Sequence, residues 1–359
     1  MYEFELWYRG ETRIGDISRL ASGRAWSKVL NGIDTVSFTV DAVRFGEWLN
    51  ARGYQMGELL AGSNLDVKVK RRGEYVLGAY IRDLPLPTYS PDNQTITLNF
   101  DGYAAILDGF YIEAGRTVSN VAANTHYRAF ITEAQGRAAT AGWDWGLGLG
   151  ADVTMPDISP FYGSDKKISE IVSDAHDNIN GSGSFDFDFT YDRKFNLYQP
   201  KGQLRDFTAY YPTRVSGGVV TNLQYEPTAS LASVVKAVGN GDNESAIRST
   251  QSNTDSISEL GYVEMLYNPA DIKTQSTLDR KASLELSRYD NPGYLPKITL
   301  LGAQLDLTQL DTGDMFIFVN DRDYITNTSG VYRILQMDGT IPDDAGAQSD
   351  LITLTVEPV

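Results

Sequence analysis

Cysteine is absent and histidine nearly so, with only His126 and His176 in 359 residues. Disulfides, thiol nucleophiles and thiolate zinc sites are therefore excluded, and imidazole chemistry is left almost without partners. No cofactor, metal or catalytic residue is expected. Long apolar runs are missing too: no window approaches the roughly eighteen consecutive apolar residues of a membrane-spanning helix, so no membrane span is expected. The opening Met1-Tyr2-Glu3-Phe4-Glu5 is acidic where a secretory leader is basic, and the expectation is a chain made and kept in a cytoplasm. Positive charge is scarce. Acids outnumber bases 47 to 31, a net charge of −16, which argues against sequence-specific nucleic-acid binding, since phosphate recognition draws on Lys and Arg. A surface that DNA slides past is compatible with that charge, although solubility alone accounts for it more simply.

What the chain does have is an ordinary globular mixture, 42% apolar and 11% aromatic, long enough for two or three cores. Its organising stretch is residues 65–100. Leu65, Val67 and Val69 alternate with Asp66, Lys68 and Lys70, Arg72-Gly73 turns the chain into residues 75–81, and Ile96, Leu98 and Phe100 alternate with Thr95, Thr97 and Asn99. Period two of this kind predicts a three-stranded meander with one wet face. The pattern returns in residues 315–319, 331–337 and at Ile352, Leu354 and Val356, with the second and third strands beginning about twenty residues apart in both copies. Two related β-units are the expected frame.

Other elements fit around that frame. Phe4, Leu6 and Tyr8 suit an edge strand whose Trp7 is free to face a partner. Asn31-Gly32 predicts a tight hairpin joining residues 25–30 to Val36, Phe38 and Val40. Phe45, Trp48 and Leu49 mark a short helix. Pro85, Pro87 and Pro91 keep their segment out of a sheet interior. Asp101-Gly102-Tyr103-Ala104-Ala105-Ile106-Leu107 reads as a turn feeding an apolar plug at a barrel end. Val118, Val121, Ala122, Tyr127, Phe130, Ile131 and Ala134 are spaced for one helix, and Ile168, Ile171, Val172, Ala175 and Ile179 for another. Residues 242–258, rich in Ser, Asn and Thr, read as an exposed loop. Ser276 and Asp279 resemble a capping box for a helix lined by Leu278, Ala282, Leu286 and Tyr289. The fold class is α+β and mainly β: two related small antiparallel β-barrel domains with an inserted α+β domain and peripheral helices. The expected divisions are 1–112 for the first barrel, 113–204 for the insertion, and 205–359 for the second barrel with a helical insertion around 270–290. Strands from 205–240 are also available to complete the first barrel.

Several motifs suggest chemistry and then lose it. Gly146, Gly148 and Gly150 lack the strand, helix and third-glycine spacing of a dinucleotide fingerprint. Trp143-Asp144-Trp145 has the makings of a sugar site, but a glycosidase needs a second carboxylate across the scissile bond, and a strand whose two Trp share a buried face explains the pattern more simply. Asp186, Asp188 and Asp192 hint at calcium, yet Phe185, Phe187 and Phe189 between them indicate a strand. His126 has no second ligand nearby, and both histidines read as packing residues. A structural or assembly role therefore ranks above an enzyme.

The order of hairpin at Asn31-Gly32, meander, the Asp101-Gly102-Tyr103-Ala104-Ala105-Ile106-Leu107 turn, inserted α+β domain and Leu310-Asp311-Thr312-Gly313-Asp314-Met315 before the final meander resembles the baseplate hub proteins of tailed bacteriophages. In long non-contractile tails these are called minor tail or tail-associated proteins. The resemblance spans nearly the whole chain, with the Leu-Asp-x-Gly-Asp turn its best motif. It implies a non-enzymatic homotrimer at the virion tail tip, assembled in the host cytoplasm, that forms or closes the DNA exit channel. Implied partners are a distal tail or tail-tube ring protein, the tape measure protein, and other tail-tip or fibre proteins. Longer members continue into lytic or receptor-binding regions, so with the last strand closing at Val359 no peptidoglycan cleavage is expected. Two alternatives stand beside this one: a carbohydrate-binding or cell-wall-degrading tail protein using Trp143, Asp144 and Trp145, and a hexameric distal tail or tube protein.

Overall fold

Alternating apolar residues do become sheet. A computed structural model describes the chain except residues 1, 86, 91–92, 160, 177–184, 212–217, 228–231, 242–244, 270–271, 290–293, 303–304, 306–309, 321–328 and 344–349. The first meander comprises the strands Leu65–Arg71, Glu74–Ile81 and Asn93–Gly102. Arg72 and Gly73, with φ of 53° and 91°, make the tight turn between the first two. Leu65, Val67 and Val69 are fully buried in the barrel core, as the alternation requires. The face expected to be wet is not: Asp66 and Lys68 are buried as well, because the inserted region covers them.

In the first unit the spatial order is Thr12–Asp16, Tyr2–Tyr8, Leu65–Arg71, Glu74–Ile81, Asn93–Gly102, Thr35–Asp41, Ala21–Val29, with every neighbouring pair antiparallel. Tyr2–Tyr8 therefore lies inside the sheet, and the short strand Thr12–Asp16 takes the outer edge. The hairpin at Asn31-Gly32 forms as expected, with Trp26 opposite Val36. The proline-rich segment is a peripheral strand, Pro87–Ser90, off the main path of the sheet. Asp41 caps the helix Ala42–Asn50, accepting from the Arg44 amide, and Phe45 and Leu49 on its inner face are fully buried.

The second unit closes on itself. Its order is Leu204–Tyr211, Met315–Asn320, Gly330–Ile341, Leu351–Pro358, Tyr294–Leu301, Gly218–Pro227 and back to Leu204–Tyr211. With the strands of each unit numbered along the chain, and the short Thr12–Asp16 and Pro87–Ser90 set aside, both units read 1-4-5-6-3-2. The units differ in the first strand, which is antiparallel to its neighbour Leu65–Arg71 in one and parallel to Met315–Asn320 in the other, and which pairs with the second strand only in the closed unit. A single long strand joins the units. Gly330–Ile341 pairs along one edge first with Met315–Asn320 and then, from Gln336 onward, with Ala21–Val29. The result is one fourteen-stranded sheet and one continuous core, from Phe4, Phe38 and Phe100 to Phe316, Phe318 and Ile352.

The region between the units has its own core. Tyr103, Ala105, Ile106 and Leu107, in the 3-10 helix Tyr103–Gly109, pack with Tyr127, Phe130, Ile168 and Phe185 and not with the barrel interior. The expected plug is thus a foundation for the insertion. Its long helix spans Ala123–Thr140 and begins later than the apolar spacing suggests, because Val121 and Ala122 pair with Ile158 and Asp157. The second helix spans Ile168–His176, and Ile179 lies outside the described residues. Trp143 and Trp145 sit in a loop and not in a strand. Residues 248–260 are also ordered into the strand Arg248–Ser252 and the helix Thr254–Leu260, contrary to a loop reading. Polar composition misleads there, since the polarity is spent on structure: Asn253 caps the helix through the Asp255 and Ser256 amides. With Val234–Val238, Glu264–Tyr267 and the helix Gln275–Tyr289, these form a small α+β elaboration between two strands of the second barrel. Leu278, Ala282 and Leu286 face its core, while Ser276 lies inside the helix and does not cap it.

The seam between units rests on Gly339, which stands opposite Trp26. A Cβ on Gly339 would lie 2.1 Å from the Trp26 indole. Gly339→Ala should therefore cost about 1–3 kcal/mol by overpacking, read as a lowered denaturation midpoint. A double-mutant cycle with Trp26→Ala should show coupling between the positions, and strict additivity of the two losses would refute the steric account.

Candidate functional site at the junction of the barrels and the insertion

The tight turn Leu310-Asp311-Thr312-Gly313-Asp314-Met315 organises a cluster of charges where three parts of the chain meet. Asp314 is buried and accepts from the amides of Asp311 at 2.9 Å and Gln203 at 3.0 Å, while Arg205 Nε lies 2.8 Å from its Oδ2. Gly313 takes φ of 93° and lies so close to Gly202, at φ of 91°, that a Cβ on Gly202 would stand 2.2 Å from the Gly313 carbonyl. Only glycine fits that crossing. The turn thereby presents Asp311 to two lysines, Lys28 Nζ at 2.7 Å and Lys201 Nζ at 3.0 Å. Desolvation works against the ionised Asp311 carboxyl, but the two ammonium groups outweigh it and hold its pKa well below the usual carboxylate range.

Lys201 carries the contact into the insertion. Its Nζ also reaches Asp188 at 2.6 Å and Thr312 Oγ1 at 3.3 Å. Burial opposes the charge on Lys201, yet Asp311 and Asp188 raise its pKa above the ordinary value. Asp186, only 1% exposed, accepts from the Lys201 amide at 2.6 Å, from Asn31 Nδ2 at 2.8 Å and from Arg333 Nη2. Asn31 Oδ1 in turn accepts from the Phe187 amide at 2.7 Å. The first barrel contributes Lys28 and Asn31, the insertion Asp186 and Asp188, and the second barrel Asp311 and Arg333. Asp186 and Asp188 do lie on one side of the strand Asp186–Phe189, as a cation site would require. Their counter-charges are Arg333 and Lys201. Asp192 stands apart from them, paired with Lys194 at 2.6 Å.

A second buried contact fixes the insertion to the outer face of the first barrel. Arg193 Nη2 lies 2.6 Å from Asp66 Oδ2, and Tyr103 OH donates to the same oxygen at 2.7 Å. Burial pushes the Asp66 carboxyl above its usual range, with Arg193 and Tyr103 offsetting part of the cost. Tyr75 and Tyr191 stack beside it at 4.0 Å. Trp7, expected to be open to a partner, lies under Lys68 Nζ at 3.9 Å. Nothing in the sequence pattern pairs Asp66 with Arg193, since they are brought together only by the docking of separate cores.

The remaining motif residues take structural positions. Asp144 accepts from the Gly146 amide at 2.7 Å and from Gln135 Nε2, which shapes its loop. Trp143 and Trp145 meet edge to face at 5.7 Å, Trp145 packs on Tyr80, and Arg9 covers Trp143 at 4.4 Å. His126 is buried, stacked on Tyr162, and its Nε2 is 3.1 Å from the Tyr162 hydroxyl. The side chain of His176 lies outside the described residues.

No protein-family model matches the sequence, and no curated protein matches it. Solved structures do. A tail protein from Neisseria meningitidis MC58 superimposes with a TM-score of 0.66 at 12% identity, covering 99% of this chain and 96% of that one. The chain has the fold of a phage tail protein. The 43 kDa tail protein of prophage MuSo2 from Shewanella oneidensis gives 0.62 at 12% identity over 99% and 98% of the two chains. A prophage tail protein from Listeria monocytogenes EGD-e gives 0.54 at 12% identity over 98% and 94%. In this tail-protein fold the ionic junction lies where both barrel units and the insertion converge.

Two outcomes follow from the buried polar groups. Asp186→Ala removes the acceptor of Arg333, the Lys201 amide and Asn31 Nδ2, and should cost about 3–5 kcal/mol, as loss of one partner from a buried ion pair does; chemical denaturation measures it, and a loss below 1 kcal/mol would show that the junction is not a buried clamp. His126 is shifted from 6.5 down to about 4 by burial and then by Arg116. The folded state thus holds it neutral while the unfolded state protonates near pH 6.5. Its contribution is complete above that pH and is lost as pH falls toward 4. His126→Phe should flatten stability against pH in that window relative to the parent chain, and an unchanged slope between pH 6.5 and 4 would contradict the assignment.

Proposed function

We propose that this chain is a structural component of a bacteriophage tail tip, a homotrimeric baseplate hub that adapts a sixfold tail tube or distal tail ring to threefold tip proteins. The observation that carries this reading is the repeated strand order 1-4-5-6-3-2 within one chain. Three copies of a chain with two like barrels present six similar β-units on one side while remaining threefold on the other. The fold shared with tail proteins, two of them from prophages, supports the tail assignment. A net charge of −16 suits a channel that DNA traverses without adhering. On this reading the protein works without catalysis or cofactor. It is located in the virion after assembly in the host cytoplasm, and meets the tape measure protein and the fibres or other tip proteins. The residues of the ionic junction then have a mechanical role, holding the two barrels and the insertion in fixed relation under load.

Native mass measurement of the soluble protein, alone and with tail-ring partners, tests the proposal. A trimer is expected, with its two barrels related by about sixty degrees around the threefold axis. A hexamer would favour a distal tail or tube protein, and a chain that stays monomeric with partners present would refute the hub reading.

A further inference from the structure

A cavity of about 350 Å³ opens beside the ionic junction, where the hairpin tip at Asn31-Gly32-Ile33, the 3-10 helix Tyr103–Gly109 and the helix Ile168–His176 converge. Its apolar wall consists of Leu107, Val172 and Phe187, all buried, with Ile33 left 37% exposed among the lining residues. Two carboxylates share the cavity, Asp108 from the 3-10 helix and Glu170 from the helix opposite. Asp108 is 3.2 Å from Arg82. Glu170 is exposed and has no ion pair among the described residues. No lysine or arginine among the described residues lines the cavity. The larger hollow near Trp143, Trp145 and Phe110 is less informative, since it is open and apolar, and the cation Arg137 in its lining is already held by the Tyr111 carbonyl and Glu133.

An apolar wall with two carboxylates, of which Asp108 already has Arg82 beside it and Glu170 has no counter-charge among the described residues, is complementary to a side chain with an aliphatic stem and a positive head. The volume lies within the range of sites that enclose a compact ligand group. We propose that this cleft is a docking site for a lysine or arginine presented by an extended segment of a different protein, its stem against Leu107, Val172 and Phe187 and its cation at Asp108 and Glu170. Charge complementarity selects the occupant. A chain of net charge −16 attracts a basic partner over distance. The cleft lies between the hairpin tip of the first barrel and the insertion, so an occupant there would bridge the two. This chemistry does not depend on how many subunits the assembly contains.

Butylguanidinium is a minimal probe of the cleft, and butylurea is its neutral counterpart of similar shape. The full chain, labelled at Leu and Val methyl groups, is titrated with each and followed by NMR. Saturable shifts at Leu107 and Val172 are expected with butylguanidinium and not with butylurea. Glu170→Gln, an exposed position that leaves the core intact, should weaken binding by about two- to fivefold, the worth of a part-exposed ion pair. Equal binding of both probes, no shift at either methyl position, or an unchanged affinity in Glu170→Gln would each overturn the proposal. Shifts at these methyls on concentrating the protein without probe would assign the cleft to a second copy, and overturn the choice of a basic partner.

Discussion

The strand Gly330–Ile341 belongs to two structures at once, and the rest of the molecule is built on that sharing. Its first part closes the second barrel against Met315–Asn320, and its last part hydrogen-bonds to Ala21–Val29 of the first unit. Its partner on one edge changes midway, and on the other edge Leu351–Pro358 runs alongside with a register shift between Ile334 and Gln336. That irregularity sits where the partner changes from one unit to the other. A bulge bends a strand and increases its twist, which is what a strand needs in order to leave one curved sheet for another. Trp26 then packs over Gly339, and the cores on either side merge into one.

Once the barrels share a strand, the insertion has a fixed surface on which to dock, and it docks through charge. Asp66, Asp186 and Asp314 are almost wholly removed from solvent. Taking carboxylates out of water costs several kcal/mol each, so the ion pairs with Arg193, Arg333 and Arg205 recover a cost and do not add a large net gain. Their effect is on geometry. An apolar interface between the insertion and the barrels would tolerate sliding, whereas Asp186, with donors from Asn31, Lys201 and Arg333, is satisfied in one relative placement only. The large apolar area is spent within the cores, and the polar contacts select how those cores sit against each other.

The β-frame was legible because period-two alternation is a local signal. Leu65, Val67 and Val69 are core in the fold as in the pattern, and so are Phe316, Phe318, Ile352, Leu354 and Val356 of the second meander. The duplication could be read from spacing alone, and the strand order now extends it from three strands to six. What alternation could not reveal was the second side of a strand. Asp66 and Lys68 look like a solvent face until a separate core covers them, and Tyr2–Tyr8 looks like an edge until Thr12–Asp16 folds back beside it. The apolar turn at Tyr103, Ile106 and Leu107 was recognisable as buried, but its owner was not, since hydrophobicity does not say which core a residue joins. The Leu-Asp-x-Gly-Asp turn could be seen as a motif. Its use as a meeting point for Lys28 and Lys201, residues far apart in sequence, follows only from the fold.

The single departure from the repeat has a physical consequence. In the second unit the first strand, Leu204–Tyr211, runs parallel to both its neighbours and completes the ring. In the first unit the corresponding strand runs the other way and pairs with Thr12–Asp16, and the sheet is completed by a turn: Ile17 donates its amide to the Phe4 carbonyl, and the Phe4 amide donates to Ser18 Oγ. The first unit thereby keeps an outer strand edge, which the closed second unit does not have, while holding the same interior order of strands. Edges invite pairing and closed barrels refuse it. The two units are therefore alike in the body of the sheet and unlike at one margin, so that contacts made through the shared body can repeat along the chain while contacts made through the edge at Thr12–Asp16 can occur only once per chain.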